Sequence, residues 1–269
     1  MNQNLAKMSN ISNSSWRRPR GVSAATAAYL NNAVIAERYE QDIDGNVITT
    51  IDISWTLSFL EGCGKVCDLG CGTGRLMLPL VDRGVEVLGV DLSWEMLRVA
   101  RQRLCLPRAG VTLLRANLVE LDSIRDSAFD AAACLFSTLG MISGREARRE
   151  VLRHAYRILV PGGRFLVHAH NYWHLLRVRG GIAWMLRDFV RRCLGDEAAG
   201  DCDLAQHAGT LAPALHHYRR SELLCELREV GFQVRTVQPI STRHDGRLLL
   251  PRFFPSLRAY GWLIAATRP

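Results

Sequence analysis

Residues 66–74 read Val-Cys-Asp-Leu-Gly-Cys-Gly-Thr-Gly. Glycines at alternate positions let a backbone pass close to a bound molecule. An apolar stretch precedes the loop and a helix-forming stretch follows it, so the loop is a strand-to-helix turn. The free N–H groups and positive end of that helix suit a carboxylate or a phosphate. A dinucleotide site has the spacing G-x-G-x-x-G, but here the spacing is G-x-G-x-G and Arg75 stands where the third glycine of that pattern would fall. Asp68, just ahead of Gly70, would repel a pyrophosphate and hold a cationic amine. The expected ligand therefore has an amino acid end. Asp91 closes a second apolar strand, Val87-Leu88-Gly89-Val90, twenty-one residues after Gly70. An acid at that place accepts hydrogen bonds from ribose hydroxyls. The ligand would join a ribose to an amino acid.

Proton-transfer candidates are few. His168 and His170 alternate on an expected strand and so share one face near its carboxyl end. A histidine there could take a proton from a hydroxyl or thiol near neutral pH. Packing or capping is the competing reading for both. His216, His217 and Tyr218 could reach the same pocket or form an exposed turn. No metal site is expected, because the His168, His170, His174 group has no adjacent carboxylate. Cys63, Cys67 and Cys71 fall in different elements and cannot easily converge on one ion.

The elements that position these residues alternate. Residues 23–41 and 50–60 read as helices. Strands are then expected at 66–69, 85–90, 111–115, 129–136 and 164–170, with helices running to about residue 83 and over 93–103 and 144–159 between them. After residues 171–217 the rhythm resumes with a helix at 221–230 and strands at 232–239 and 260–267. This pattern means an α/β fold with a doubly wound, mostly parallel sheet. The ligand should lie outside the carboxyl ends of the strands, where the strand order reverses. Residues 171–217 read as an insertion without a core of its own, lying over the site of a single domain spanning 22–269. Residues 1–21, rich in Asn and Ser, read as a disordered tail.

These motifs resemble the class I S-adenosylmethionine-dependent methyltransferases, a seven-strand Rossmann-like family, from about Tyr39 onward. The resemblance implies that Asp68, Gly70, Gly72 and Gly74 hold the methionine part of S-adenosylmethionine and that Asp91 holds the ribose. Leu92 would pack on the adenine. Asn117, in Asn117-Leu118-Val119-Glu120-Leu121, stands where the family has an aspartate that reads the adenine amino group, and its amide oxygen can accept the same bond. Tyr39 resembles a tyrosine that lies over the cofactor, and Cys71, Leu118 and Leu135 complete the implied cofactor lining. Phe129-Asp130 and Leu159-Val160-Pro161-Gly162-Gly163 resemble the family's sequences before the fourth and fifth strands. The implied reaction is direct transfer of the sulfonium methyl to an O, N, S or C nucleophile, with S-adenosylhomocysteine as product.

Composition bounds the rest. The chain has 269 residues, 48% hydrophobic and 22% charged, which is the balance of a globular protein and excludes a largely disordered one. No apolar run is long enough to span a bilayer. All of the net charge of +8 lies in residues 151–269, with seventeen basic against nine acidic residues. That excess suggests either arginine-rich codon usage or a face for phosphate, on RNA or on an anionic membrane. Eight cysteines without a C-x-x-C pair, and no secretory leader, suggest reduced thiols in a cytoplasmic setting. The insertion mixes tryptophans and other apolar residues with arginines. It would close as a lid over a small, partly apolar acceptor, with membrane or RNA contact as the alternatives. Cys134-Leu135-Phe136-Ser137-Thr138 lacks the N/D-P-P-Y-type motif of base-amino methyltransferases. An RNA-modifying (tRNA) methyltransferase and a cofactor-binding protein without turnover remain as further readings.

Overall fold

A computed structural model describes residues 18–43, 45–202, 213–243 and 245–269. Three helices lead in: α1 (Ala24–Leu30), α2 (Ala33–Ile43) and α3 (Val47–Phe59). The single helix expected over 23–41 is broken at Asn31-Asn32. Asn31 is the C-cap of α1, and Asn32 Oδ1 accepts the Ile35 N–H at 3.2 Å. Asparagine amides compete with helical bonds in this way, so the pair ends one helix and starts the next. The side chain of Asn46 accepts the Ile48 N–H, and α3 therefore starts ahead of residue 50.

The alternating body follows as β1 (Lys65–Leu69), α4 (Met77–Val81), β2 (Glu86–Asp91), α5 (Trp94–Arg103), β3 (Val111–Arg115), β4 (Phe129–Cys134), α6 (Thr138–Met141), α7 (Arg145–Ile158) and β5 (Leu159–His170). A 3-10 helix (Tyr172–Arg177) and α8 (Gly181–Cys193) come next, then a small antiparallel pair, β6 (Asp201–Cys202) and β7 (Leu215–His216). The chain ends with α9 (Arg220–Val230), β8 (Gln233–Ile240), α10 (Pro255–Arg258) and β9 (Gly261–Thr267). The main sheet has seven strands in the order β3-β2-β1-β4-β5-β9-β8. It is parallel through β5, and β9 runs antiparallel to both neighbours. The expected doubly wound sheet is present.

Both faces of the sheet are covered. Val66, Ala131, Ala133 and Leu166 pack with α4 and α5, while Cys67, Leu69, Ala132, Phe165 and Val167 pack with α7 and α9. Phe165 stacks on Phe232 with ring centroids 5.0 Å apart. Burying one such ring contributes about 1.5–3 kcal/mol. Strands β2 and β3 lie to one side of β1, and β4 and β5 to the other, which opens a crevice at the carboxyl ends of β1 and β4.

Two expectations need correction. The helix after the glycine loop covers only Met77–Val81, preceded by turns rather than helix, so a helix dipole contributes little at the loop. The insertion also has a small apolar cluster, with Tyr172, Leu175, Trp184 and Cys202 buried together. Of the expected tail, residues 1–17 lie outside the described residues, and residues 18–21 pack on the body. Ser143 N–H donates to the Gly21 carbonyl at 2.7 Å.

Candidate active site

The glycine loop is fastened to the end of β2. Gly70 and Cys71 N–H groups both donate to the Val90 carbonyl, at 2.8 and 3.0 Å. Gly72 N–H donates to Asp91 Oδ2 and Ser93 N–H to Asp91 Oδ1, each at 2.8 Å. Gly70 has φ +82° and lies so close to Thr138 that a Cβ would overlap its side chain. Gly72, at φ +52°, has open space where a Cβ would stand. Its backbone borders the crevice.

The crevice holds two adjoining cavities. One, of about 690 Å³, is lined by Tyr39, Gly70, Gly72, Asp91, Leu92, Asn117 and Leu118 among others. The other, of about 800 Å³, is lined by Asp68, Cys71, Leu135, Phe136 and His170, again with Tyr39, Gly70 and Gly72. All the expected cofactor residues except Gly74 therefore meet here. A Cβ on Gly74 would press on Leu104 and Ala100, so Gly74 serves the packing of the loop on α5 and its flank. His170 lines the second cavity; His168 lines neither.

The leading helices close the crevice from above. Ser93 Oγ donates to the Leu30 carbonyl at 2.6 Å, and Arg103 pairs with Glu40 at 2.8 Å. Thr73 Oγ1 also donates to Glu40, and Arg103 donates to the Thr73 carbonyl at 3.0 Å. These bonds tie α2, which carries Tyr39, to the loop. Asn117 Nδ2 donates to the Arg20 carbonyl at 3.0 Å, and Gly21 and Val22 line the first cavity. Sequence reasoning missed this strap. Its contacts join residues 97 positions apart and leave no local pattern.

Burial dominates the electrostatics. It raises Asp68 to about 7; Arg75 opposes the rise and Asp91 adds to it. Burial likewise raises Asp91, against the lowering effect of the Ser93 and Gly72 N–H bonds. Because Asp68 holds its proton more tightly folded than unfolded, it favours folding at acid pH. That contribution is lost as pH rises towards about 7. An ammonium ligand has the opposite preference, since it binds the ionised carboxylate. Affinity for S-adenosylhomocysteine should therefore weaken, by up to about tenfold per pH unit, as pH falls below about 7. Calorimetry across pH 5.5–8 should show this slope in the wild type and a shallower one in Asp68→Asn, on the one-proton linkage slope of about 1. A flat wild-type profile would overturn it.

Asp52 on α3, which sequence reasoning missed, is fully buried. Its Oδ2 meets His168 Nδ1 at 2.6 Å and accepts the Phe136 N–H at 3.0 Å. His168 is thus a partner of Asp52 and stands back from both cavities. His170 packs edge-on against Tyr260, with centroids 4.9 Å apart, and its Nε2 has no hydrogen-bond partner among the described residues. Burial, reinforced by His168, His217 and His174, holds His170 well below the ordinary histidine range, so its ring is neutral at pH 7.

Past β5, β7 is held by charge. His216 Nδ1 meets Asp201 at 2.9 Å and its Nε2 meets Glu222 at 3.1 Å. Burial alone would raise Glu222, but His216 and Arg192 overcome it and bring the carboxyl to about 2. His216 is therefore a latch residue, while Pro213 and Leu215 beside it line the second cavity. Among the described residues, no group of three His, Cys, Asp or Glu side chains is placed to hold a metal ion.

Residues 66–163 match the family model for a methyltransferase domain. Residues 66–163 thus carry the sequence pattern of a methyltransferase domain. Over 124 residues this chain is 30% identical to the putative methyltransferase YqeM of Bacillus subtilis (strain 168), covering 46% of this chain and 49% of that one. It is 35% identical over 124 residues to the ubiquinone/menaquinone biosynthesis C-methyltransferase UbiE of Syntrophotalea carbinolica, covering 44% and 50%. The chain thus spans about half the length of the curated relatives it matches. The fold of the chain also matches the solved 1,6-didemethyltoxoflavin-N1-methyltransferase of Burkholderia thailandensis, with S-adenosylhomocysteine and 1,6-didemethyltoxoflavin bound. That match has TM-score 0.59 at 17% identity, covering 93% of this chain and 92% of that one. The observed strand order gives the sheet its crevice between β1 and β4, where both cavities lie.

Proposed function

We propose that the chain transfers the methyl group of S-adenosylmethionine to a small, partly apolar acceptor. The observation that carries this reading is the shared wall of the two cavities: Tyr29, Tyr39, Gly70, Gly72, Thr138 and Met141 border both. One continuous crevice thus offers a nucleoside half and an acceptor half. The residues present fit the cofactor. Each oxygen of Asp91 accepts one N–H and keeps a lone pair for a ribose hydroxyl. Asp68 offers a carboxylate for an ammonium, and the wall near Asn117 is otherwise apolar, with Leu92, Met96 and Leu118.

When bound, the cofactor supplies an electrophilic methyl on a sulfonium. The chain's own residues place the acceptor and keep water out, and such positioning is worth roughly 7–11 kcal/mol. Leu76, Leu135, Phe136 and Leu215 give the acceptor half apolar walls, and Arg75 lies over the Phe136 ring at 5.3 Å. His170, neutral and lining this cavity, takes the proton of a hydroxyl, amine or thiol acceptor. Pro213 and Leu215, near the end of the insertion, border the same cavity, which supports a lid role for it. The similarity to a quinone C-methyltransferase favours an apolar acceptor.

Two measurements test this. Methyl-labelled cofactor, incubated with purified protein and cell extract, should place label in the small-molecule or lipid fraction. Label released by RNase, or no label at all, would overturn the reading. With the acceptor so obtained, His170→Gln should lower kcat about 10²-fold or more while S-adenosylhomocysteine affinity stays unchanged. Wild-type turnover across the pH range would remove His170 from the chemistry.

A further inference from the structure

The positive charge of the chain is concentrated beside its exposed apolar surface. Residues 177–194 and 243–258 together hold nine arginines and two aspartates, a net of +7 where the whole chain carries +8. The same stretches hold the most exposed large apolar side chains among the described residues. On α8, Ile182, Leu186, Phe189 and Val190 share one face and are 55–66% exposed, while the opposite face buries Trp184 and Asp188. Ahead of α10, Leu249, Leu250, Phe253 and Phe254 are 59–74% exposed. The 3-10 helix touches both α8 and α10, and it carries exposed Leu176, with exposed Val178 just after it and exposed Leu257 on α10.

So many exposed large apolar side chains on neighbouring elements are uncommon on a monomeric soluble protein. Its arginines say what covers it. Arg179, Arg187, Arg243 and Arg252 pair with no acid among the described residues. Arg177, Arg243, Arg247 and Arg258 border a cavity of about 1190 Å³ whose only acid among the described residues is Asp245. A protein partner would have to bring acids into register with scattered arginines. A surface of mobile anionic headgroups needs no register, and a basic-flanked apolar helix lies readily in such an interface.

We propose that this face docks on an anionic phospholipid bilayer. The α8 stripe and the Phe253-Phe254 loop enter the headgroup–acyl boundary, and the flanking arginines meet phosphates. This inference goes beyond methyl transfer and does not depend on it. It also sets the docking face close to the acceptor cavity. Tyr260 borders the arginine-rimmed cavity and touches His170 of the acceptor cavity, with centroids 4.9 Å apart.

The test uses the full chain, without cofactor, in flotation with extruded vesicles. Vesicles of phosphatidylcholine with about a third phosphatidylglycerol should bind it at least about tenfold more tightly than phosphatidylcholine alone, and rising salt should release it. Leu186→Ser with Phe189→Ser, and separately Phe253→Ser with Phe254→Ser, should each weaken binding about tenfold while thermal unfolding stays as in the wild type. Arg179→Gln with Arg187→Gln should remove the preference for anionic vesicles. No binding to either vesicle type overturns the proposal. So does self-association in solution that the serine variants abolish, or RNA binding at physiological salt without vesicle binding.

Discussion

Asp91→Ala is expected to lose both the cofactor and a large part of the fold's stability. The carboxylate is buried and accepts two backbone N–H groups, from Gly72 and Ser93. Alanine strands both donors at a buried site, and each orphan costs about 1–3 kcal/mol. The same change removes the acceptor for the ribose hydroxyls. Two bonds to a charged acceptor are worth about 1.5–3 kcal/mol each, so affinity for S-adenosylhomocysteine should fall at least about a hundredfold. Asp91→Asn retains one acceptor oxygen, so it should lie between wild type and alanine on both scales. Calorimetry and urea unfolding on the three proteins separate the effects. Wild-type affinity in Asp91→Ala would refute the ribose assignment. Wild-type stability with lost binding would show that the loop holds its shape without Asp91.

This double role shows what the sequence alone can and cannot tell. The spacing of Gly70, Gly72, Asp91 and Asn117 marks the crevice because each sits where a strand meets its loop, and strands declare themselves by apolar runs. Ten of the eleven expected cofactor residues line the two cavities. Gly74 does not, because packing against Leu104 demands a glycine as strictly as a ligand would. The histidines separate for a reason equally invisible in sequence. His168 and His170 share a face of β5, but α3 brings Asp52 against the first and leaves the second at the cavity. Asp52 lies in Ile51-Asp52-Ile53, where a lone acid among apolar neighbours looks like any surface position of a helix. The strap at Arg20 and Gly21 is likewise fixed only by distant partners. Side-chain chemistry local to a strand end is legible; pairings that depend on how separate elements dock are not.

Asp52→Ala carries the second large effect. Asp52 holds two donors at once, the His168 ring and the Phe136 N–H. Phe136 and Ser137 both have left-handed backbones, with φ of 49° and 63°. Such residues cost about 1–3 kcal/mol each and persist only where the surroundings hold them. Ser137 Oγ in turn accepts the His170 N–H at 3.3 Å, so the clamp reaches the residue beside the acceptor. Alanine leaves a buried imidazole and a strained turn without their anchor. Each buried donor left unpaired costs about 1–3 kcal/mol, so a loss of about 2–6 kcal/mol is expected in urea unfolding. Both bonds go to Oδ2, so Asp52→Asn with its uncharged amide oxygen there can still accept them, more weakly, and should lose less. Because Asp52 borders neither cavity, S-adenosylhomocysteine affinity of Asp52→Asn should stay within about threefold of wild type, less than 1 kcal/mol. Turnover should drop more, as Phe136 and His170 shift in the acceptor half. An asparagine variant with wild-type kcat would make the pair a matter of stability alone. An alanine variant as stable as wild type would show that the Phe136-Ser137 turn needs no clamp.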